Sequence, residues 1–233
     1  MRGSAASRAV ARAEAGSLFA LRRGDNRSKA AWALLEGANG VLVPGGFGTR
    51  GTNGKIAAVQ YARTSGKPFL GVCLGMQCVV IEHARNVLGW EGANSSEFDE
   101  DAPYKMVVQM HEIDPSVMGG TMRLGATHTM LHGFPDDSGV LRPSLAHQIY
   151  GGKNMVLERH RHRYEVNPIH VPKLVEAGLR FSGVDQGGQR MECVELPQKV
   201  HPFFFAAQYV LQPKRLGGGV RLSDERGSPW RSH

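Results

Sequence analysis

No run of about 18 apolar residues occurs in this chain, which excludes an obvious membrane-spanning helix. Cysteine is scarce, with Cys73, Cys78 and Cys193 in 233 residues. An odd count at irregular spacing makes no disulfide framework. It suits a reducing compartment, where a lone thiol is free to act as a nucleophile. Internal repeats are absent. A phosphate-binding loop is missing too: the pair Gly54-Lys55 has Thr49 where the first glycine belongs and Ile56 where the hydroxyl belongs. What remains is an ordinary globular composition, 41% hydrophobic and 21% charged.

The net charge of +7 suggests a polyanionic partner until its distribution is read. Residues 1–30 carry +5 and residues 210–233 carry +3, which leaves the long middle at −1. The basic surplus therefore belongs to the ends, and nucleic-acid binding by the middle is disfavoured. Residues 1–29 are rich in Ala, Ser and Arg and read as a disordered extension, with an organellar transit peptide as the competing reading. The tail, residues 210–233, passes through Gly217-Gly218-Gly219 with few apolar residues and reads as disordered. The domain proper is expected over 30–209.

Within it, Ala30–Leu35 reads as helical, and Gly40–Pro44 as a buried strand running into the turn Gly45-Gly46. Gly54–Thr64 is an amphipathic helix. Phe69–Val72 is a second buried strand, and Leu74–Val87 a long helix. Strand, helix, strand, helix predicts an α/β fold in three layers: a mostly parallel central sheet with helices on both faces. Ligands in such sheets bind beyond the carboxyl ends of the strands. Gly45-Gly46 and Cys73 both fall at such ends. After Asn94 the strands Met106–Met110, Met155–Arg159, Leu179–Val184, Met191–Leu196 and Phe203–Tyr209 are expected to extend this core as a mixed sheet.

Gly71-Val72-Cys73-Leu74-Gly75 reads as a strand, a sharp turn and a helix start. Glycines on both sides permit the bend. At a helix mouth the free amides and the helix dipole favour the thiolate. The turn alone supports two readings equally, a nucleophile and a compact buried hydrophobe. Cys78 and Cys193 lie in apolar stretches and read as core.

Five segments carry a family resemblance: Pro44–Gly48 (PGGFG), Gly71–Gln77 (GVCLGMQ), Ala93–Phe98 (ANSSEF), Gly119–Gly125 (GGTMRLG) and Glu158–Asn167 (ERHRHRYEVN). In order and spacing the chain resembles the class I glutamine amidotransferase domain of CTP synthases over roughly residues 31–209. The resemblance implies a flavodoxin-like fold, incomplete at both ends. It also implies a cytoplasmic glutaminase that supplies ammonia to an amidoligase, which aminates UTP to CTP at the cost of ATP. Cys73 is then the nucleophile. The backbone N–H groups of Gly46 and Leu74 form the oxyanion hole. Gly46, Leu74, Gly75, Met76, Gln77, Glu97 and Arg163 hold glutamine, with Glu97 suited to its α-ammonium and Arg163 to its α-carboxylate. Without the resemblance, Glu97 and Arg163 read as solvated surface charges. The partners implied are L-glutamine and an amidoligase domain or full-length subunits in a homo-oligomer, with no nucleic acid and no membrane. No cofactor or metal is expected here; ATP and magnesium belong to the absent amidoligase domain.

The resemblance fails at one place. The strand His201–Gln208 should lead to a His-Pro-Glu motif that completes the triad. Here Val210 stands in the histidine position and Gln212 in the glutamate position, and neither can do the work. His201 starts the same strand, too far away to substitute. His160 and His162 lie in the segment resembling the substrate wall; their alternating spacing also suits a metal pair. The expectation is a chain that turns over no glutamine. The alternatives are a non-catalytic glutamine-binding or subunit-interacting module of CTP synthase assemblies, and a fragment with two foreign ends produced by splicing or misannotation.

Overall fold

The computed structural model describes residues 10–12, 26–110 and 123–210. Strand β1 (Val10–Arg12), helix α1 (Asn26–Gly37), strand β2 (Gly40–Val43), helix α2 (Thr52–Ser65), strand β3 (Phe69–Val72) and helix α3 (Leu74–Asn86) form the first half. Then come β4 (Asn94–Ser95), β5 (Lys105–Gln109), β6 (Arg123–Leu131), β7 (Phe134–Pro135), β8 (Leu141–Arg142) and the short helix α4 (Leu145–Ile149). The chain continues through β9 (Met155–His162), β10 (Tyr164–Val166), α5 (Val171–Glu176), β11 (Arg180–Asp185), β12 (Met191–Glu195) and β13 (Phe204–Ala207).

The main sheet has the order β1-β2-β3-β13-β12-β11-β6-β9. Its first four strands are parallel, and from β13 onward every pairing is antiparallel. The α/β expectation therefore holds, as a mixed sheet. The antiparallel half curls on itself: Val210, just past β13, bridges Arg159 on the outer edge of β9 through an N–H···O bond of 3.0 Å. That closure brings the end of the described chain back beside β9.

Local chemistry accounts for the parallel half. Helix α2 is bounded by Gly51 and Gly66, both left-handed at φ 76 and 71, a conformation glycine adopts freely. Lys67 closes α1 by donating to the carbonyls of Leu35, Glu36 and Ala38, where a cation meets the negative end of the helix dipole. Arg63 of α2 grips the fully buried Glu82 of α3 at 2.7 and 2.9 Å; a forked pair of this kind fixes the angle between helices as well as their distance. Two apolar clusters result. One gathers α1, α2, α3 and α5 around Val43, Phe69 and Phe204. The other sets α4 against Phe205, Ala207 and Tyr209.

Three sequence expectations need correction. Met106–Met110 forms a strand, but in a separate three-stranded sheet of β10, β5 and β4 rather than in the main one. β6, the longest strand, was not foreseen, because its polar Thr127, His128 and Thr129 break the apolar pattern. The start of α1 and the strand β1, which pairs with β2, fall within residues 1–29, so ordered elements begin before residue 30. Residues 211–233, expected to be disordered, lie outside the described residues. Among the described residues no helix is long and apolar enough to cross a membrane.

Gly75 shows how tightly α3 sits on β2. A methyl group there would lie 3.1 Å from the Val43 carbonyl carbon and closer still to its oxygen. Backbone cannot rotate away as a side chain can, so the helix would have to lift. Gly75→Ala is expected to destabilise the domain by about 3 kcal/mol, read as a lower urea midpoint at unchanged slope. A midpoint within error of the parent would show that β2 and α3 are not held in register here.

Candidate active site

β3 ends at Val72, and Cys73 takes φ 53 and ψ −106 before α3 begins. Among the described residues it is the non-glycine with positive φ. Such a conformation costs of order 1–3 kcal/mol and persists when its surroundings over-determine it. Here they do. The Cys73 N–H donates to Ala207 O at 2.7 Å, and the Cys73 carbonyl accepts from Met76 N at 2.9 Å. Gly71 has no room for a side chain, since a methyl group would meet Ala206 Cβ at 2.8 Å. The sharp strand-to-helix turn read from the sequence is present.

Around the sulfur lie groups from three distant segments. Gly45 closes against it, a methyl there lying 3.3 Å from Cys73 Cβ, and a methyl on Gly46 would lie 3.5 Å from Leu74 Cδ2. The Leu74 N–H points at the sulfur. Gln208, the first residue past β13, donates its Nε2 to Cys73 Sγ at 3.5 Å. The Arg161 carbonyl lies 3.9 Å from Sγ. No histidine is among these neighbours. His201 is buried under α2, donating Nε2 to Ala62 O at 2.9 Å. His160 and His162 bond to one another at 3.1 Å, and among the described residues no group of three or more ligands could hold a metal.

The helix mouth does favour thiolate, through the Leu74 N–H, but burial outweighs it. Cys73 is 8% exposed, and burial pushes its thiol up to about 11, although the Leu74 N–H and the Gln208 amide pull the other way. Desolvation of the anion outweighs the Leu74 N–H, the Gln208 amide and the smaller effect of the Lys55 charge. Cys78 and Cys193 are fully buried, as expected for core.

The other expected site residues divide into three groups. Leu74, Gly75 and Met76 form the first turn of α3, with Met76 wholly buried, so they can meet a ligand only through backbone. Gln77 is turned inward: its Nε2 donates to Tyr164 O at 3.1 Å and to Gln208 Oε1 at 3.3 Å. It thereby sets the amide that faces the thiol. Glu97 is anchored to the glycine loop, accepting from Gly48 N at 2.9 Å. Arg163 is exposed at the β9–β10 corner, where its carbonyl accepts from Met110 N at 3.1 Å. Burial raises the Tyr164 phenol above its ordinary value, and it feels the charges of Glu97, Glu100 and Arg163. The sequence reading singled out neither Tyr164 nor Gln208; the only signal for Gln208 was its place at the end of a strand neighbouring β3.

A family profile, glutamine amidotransferase class-I, matches residues 12–209. The chain belongs to the class I glutamine amidotransferase family. Its relatives within that class are CTP synthases. It is 53% identical over 193 residues to CTP synthase 1 of Homo sapiens, covering 83% of this chain and 31% of that protein. It is 51% identical over 175 residues to CTP synthase of Archaeoglobus fulgidus, covering 73% of this chain and 30% of that protein. The chain thus spans about a third of the length of these relatives. Among solved structures it resembles the Trypanosoma brucei CTPS glutaminase domain with bound acivicin. That match has a TM-score of 0.69 at 40% identity, and covers 82% of this chain and 72% of that one.

Proposed function

We propose that this chain is a glutamine-binding domain of the CTP synthase type whose thiol accepts the glutamine side chain but whose turnover is at background. The observation that carries the reading is the Cys73 turn itself. A strained cysteine at the end of a central strand lies beside Gly45 and the Leu74 N–H, within reach of the Glu97 charge. The step this arrangement serves in a complete site would be attack of the Cys73 sulfur on the side-chain amide of glutamine, with the Gly46 and Leu74 N–H groups on the oxyanion, and it needs a base to take the thiol proton and pass it to the leaving ammonia. Glu97 takes the α-ammonium and Arg163 the α-carboxylate. Water would then release glutamate. ATP, magnesium and UTP belong to an amidoligase partner, to which the ammonia would pass.

Turnover fails in this reading because, among the described residues, no proton acceptor lies beside the sulfur. The thiol must lose its proton and the leaving nitrogen must gain one. Gln208 and the Arg161 carbonyl, the groups beside Sγ, do neither at neutral pH. Binding without turnover is the consequence. A diazoketone analogue of glutamine, a strong electrophile, is expected to form a slow adduct at Cys73. Saturating glutamine should slow that adduct about tenfold or more, while ammonia release from glutamine stays at the buffer rate. Peptide mass spectrometry locates the adduct. Labelling that ignores glutamine, or that favours Cys78 or Cys193, would refute the binding site. Ammonia release abolished by Cys73→Ala would refute the inactivity.

A further inference from the structure

Gly54-Lys55, which fails as part of a phosphate loop, has a different position in the fold. Lys55 lies in the first turn of α2, and its side chain folds back beneath the glycine loop. The residue is 5% exposed. A methyl group on Gly46 would sit 3.3 Å from its Nζ, so the ammonium lies directly behind the peptide that borders Leu74 and Cys73. Other basic side chains near the core are paired: Arg63 with Glu82, Lys67 with three carbonyls, Arg190 with Glu165. Lys55 is not. The groups that act on it are the charges of Cys78, Cys73 and Glu97, while burial lowers its pKa from the ordinary lysine value. The nearest carboxylate by that account, Glu97, accepts a hydrogen bond from Gly48 instead.

A largely buried ammonium without a carboxylate partner is costly, and its charged form gains when negative charge appears nearby. In the glutaminase reading negative charge appears in two places, first on the Cys73 sulfur and then on the oxygen held at the Gly46 turn. We propose that Lys55 is an electrostatic residue of this site, stabilising the anionic states of Cys73 and of the oxyanion from behind the Gly46 peptide. It touches neither substrate nor sulfur and acts through the field it sets there. The lysine is thus the positive partner that the oxyanion loop retains where the histidine position holds valine. This assignment rests on the proposed function. A bland role also exists, in which the aliphatic stem merely packs between α2 and the sheet. Lys55→Met keeps that packing and removes the charge, and Lys55→Arg keeps the charge.

The test is alkylation of Cys73 in the full chain by iodoacetamide, a neutral probe, followed by peptide mass spectrometry across alkaline pH. Lys55→Met is expected to slow alkylation at about pH 8 on the order of tenfold and to move the rate–pH profile upward by about one unit. Lys55→Arg should stay within about twofold of the parent. A Lys55→Met profile that superimposes on the parent, with circular dichroism unchanged, overturns the proposal. So does a Lys55→Arg variant as slow as Lys55→Met. If Lys55→Met does not fold, Lys55→Gln takes its place with the same two outcomes. The assay contains no glutamine, so it reads the coupling of Lys55 to Cys73 even if glutamine binding fails. Glutamine-protected labelling without dependence on Lys55 would keep the functional reading and sink this one.

Discussion

Restoring Val210→His and Gln212→Glu together is expected to raise glutamine hydrolysis on the order of 10³-fold above the unmodified chain. With its thiol pushed up to about 11, Cys73 is ionised in only about one molecule in ten thousand at neutral pH. An adjacent imidazole removes that handicap by taking the proton as the sulfur attacks. Gln208 faces the thiol at 3.5 Å, Tyr209 turns away into the second apolar cluster, and the chain bends at both residues before Val210 bridges β9. Val210 is 46% exposed, so the side chain has room to grow. Its backbone is held by Arg159 O at 3.0 Å, two residues along β9 from the Arg161 carbonyl that borders the sulfur. Residue 212 lies outside the described residues, and its substitution returns the carboxylate that the family resemblance pairs with the histidine. Val210→His alone should recover a smaller part of the gain. Ammonia release, with Cys73→Ala in the repaired background as control, measures both. A folded double variant that still labels with the diazoketone yet releases no ammonia would show that the missing triad is not what silences the chain.

The parts of this site that the sequence makes legible are those carried by contiguous residues. An apolar run, a cysteine between glycines and a helical period specify β3, the Cys73 turn and α3 within a residue or two, because the turn's geometry is dictated locally. The acidity of the thiol is not local. Its neighbours Gln208 and Arg161 arrive from 135 and 88 residues away, and it is their packing that dries the sulfur and outweighs the helix mouth. Lys55 is hidden for a related reason, since a lysine on an amphipathic helix ordinarily points to solvent. The antiparallel half is legible in outline but not in pairing. β5 has the composition of a core strand and joins the small sheet, while β6 carries polar residues inward and so hides its own period. Thr129 and Arg123 of β6 both donate to Glu192 of β12, a partnership no one-dimensional pattern reveals.

That inward polar network makes the fold itself sensitive to acid. His162 donates Nδ1–H to the Tyr164 carbonyl at 2.9 Å, which leaves its Nε2 as a lone pair. His160 Nδ1–H therefore donates to it at 3.1 Å, and His160 Nε2 is a bare lone pair 3.8 Å from Glu192. Each link requires a neutral ring, so the chain of bonds fixes both tautomers. Burial, with the Arg123 charge adding to it, pushes His160 down to about 3 and His162 down to about 4. These bases are harder to protonate folded than unfolded. Their contribution is thus intact above the unfolded value near 6.5 and declines as pH falls below it, continuing until the folded values are passed. Glu192 works in the opposite sense, because burial raises its pKa and lets the folded state take up a proton early. It offsets part of the loss only near the carboxylate range. Between pH 7 and about pH 5 the two histidines should together cost the domain about 3 kcal/mol, a large share of a typical margin of 5–15 kcal/mol. Urea unfolding at the two pH values measures the loss, and His160→Gln with His162→Gln should flatten it. An equal loss in parent and double variant would place the acid sensitivity elsewhere and show that these rings are not buried neutral.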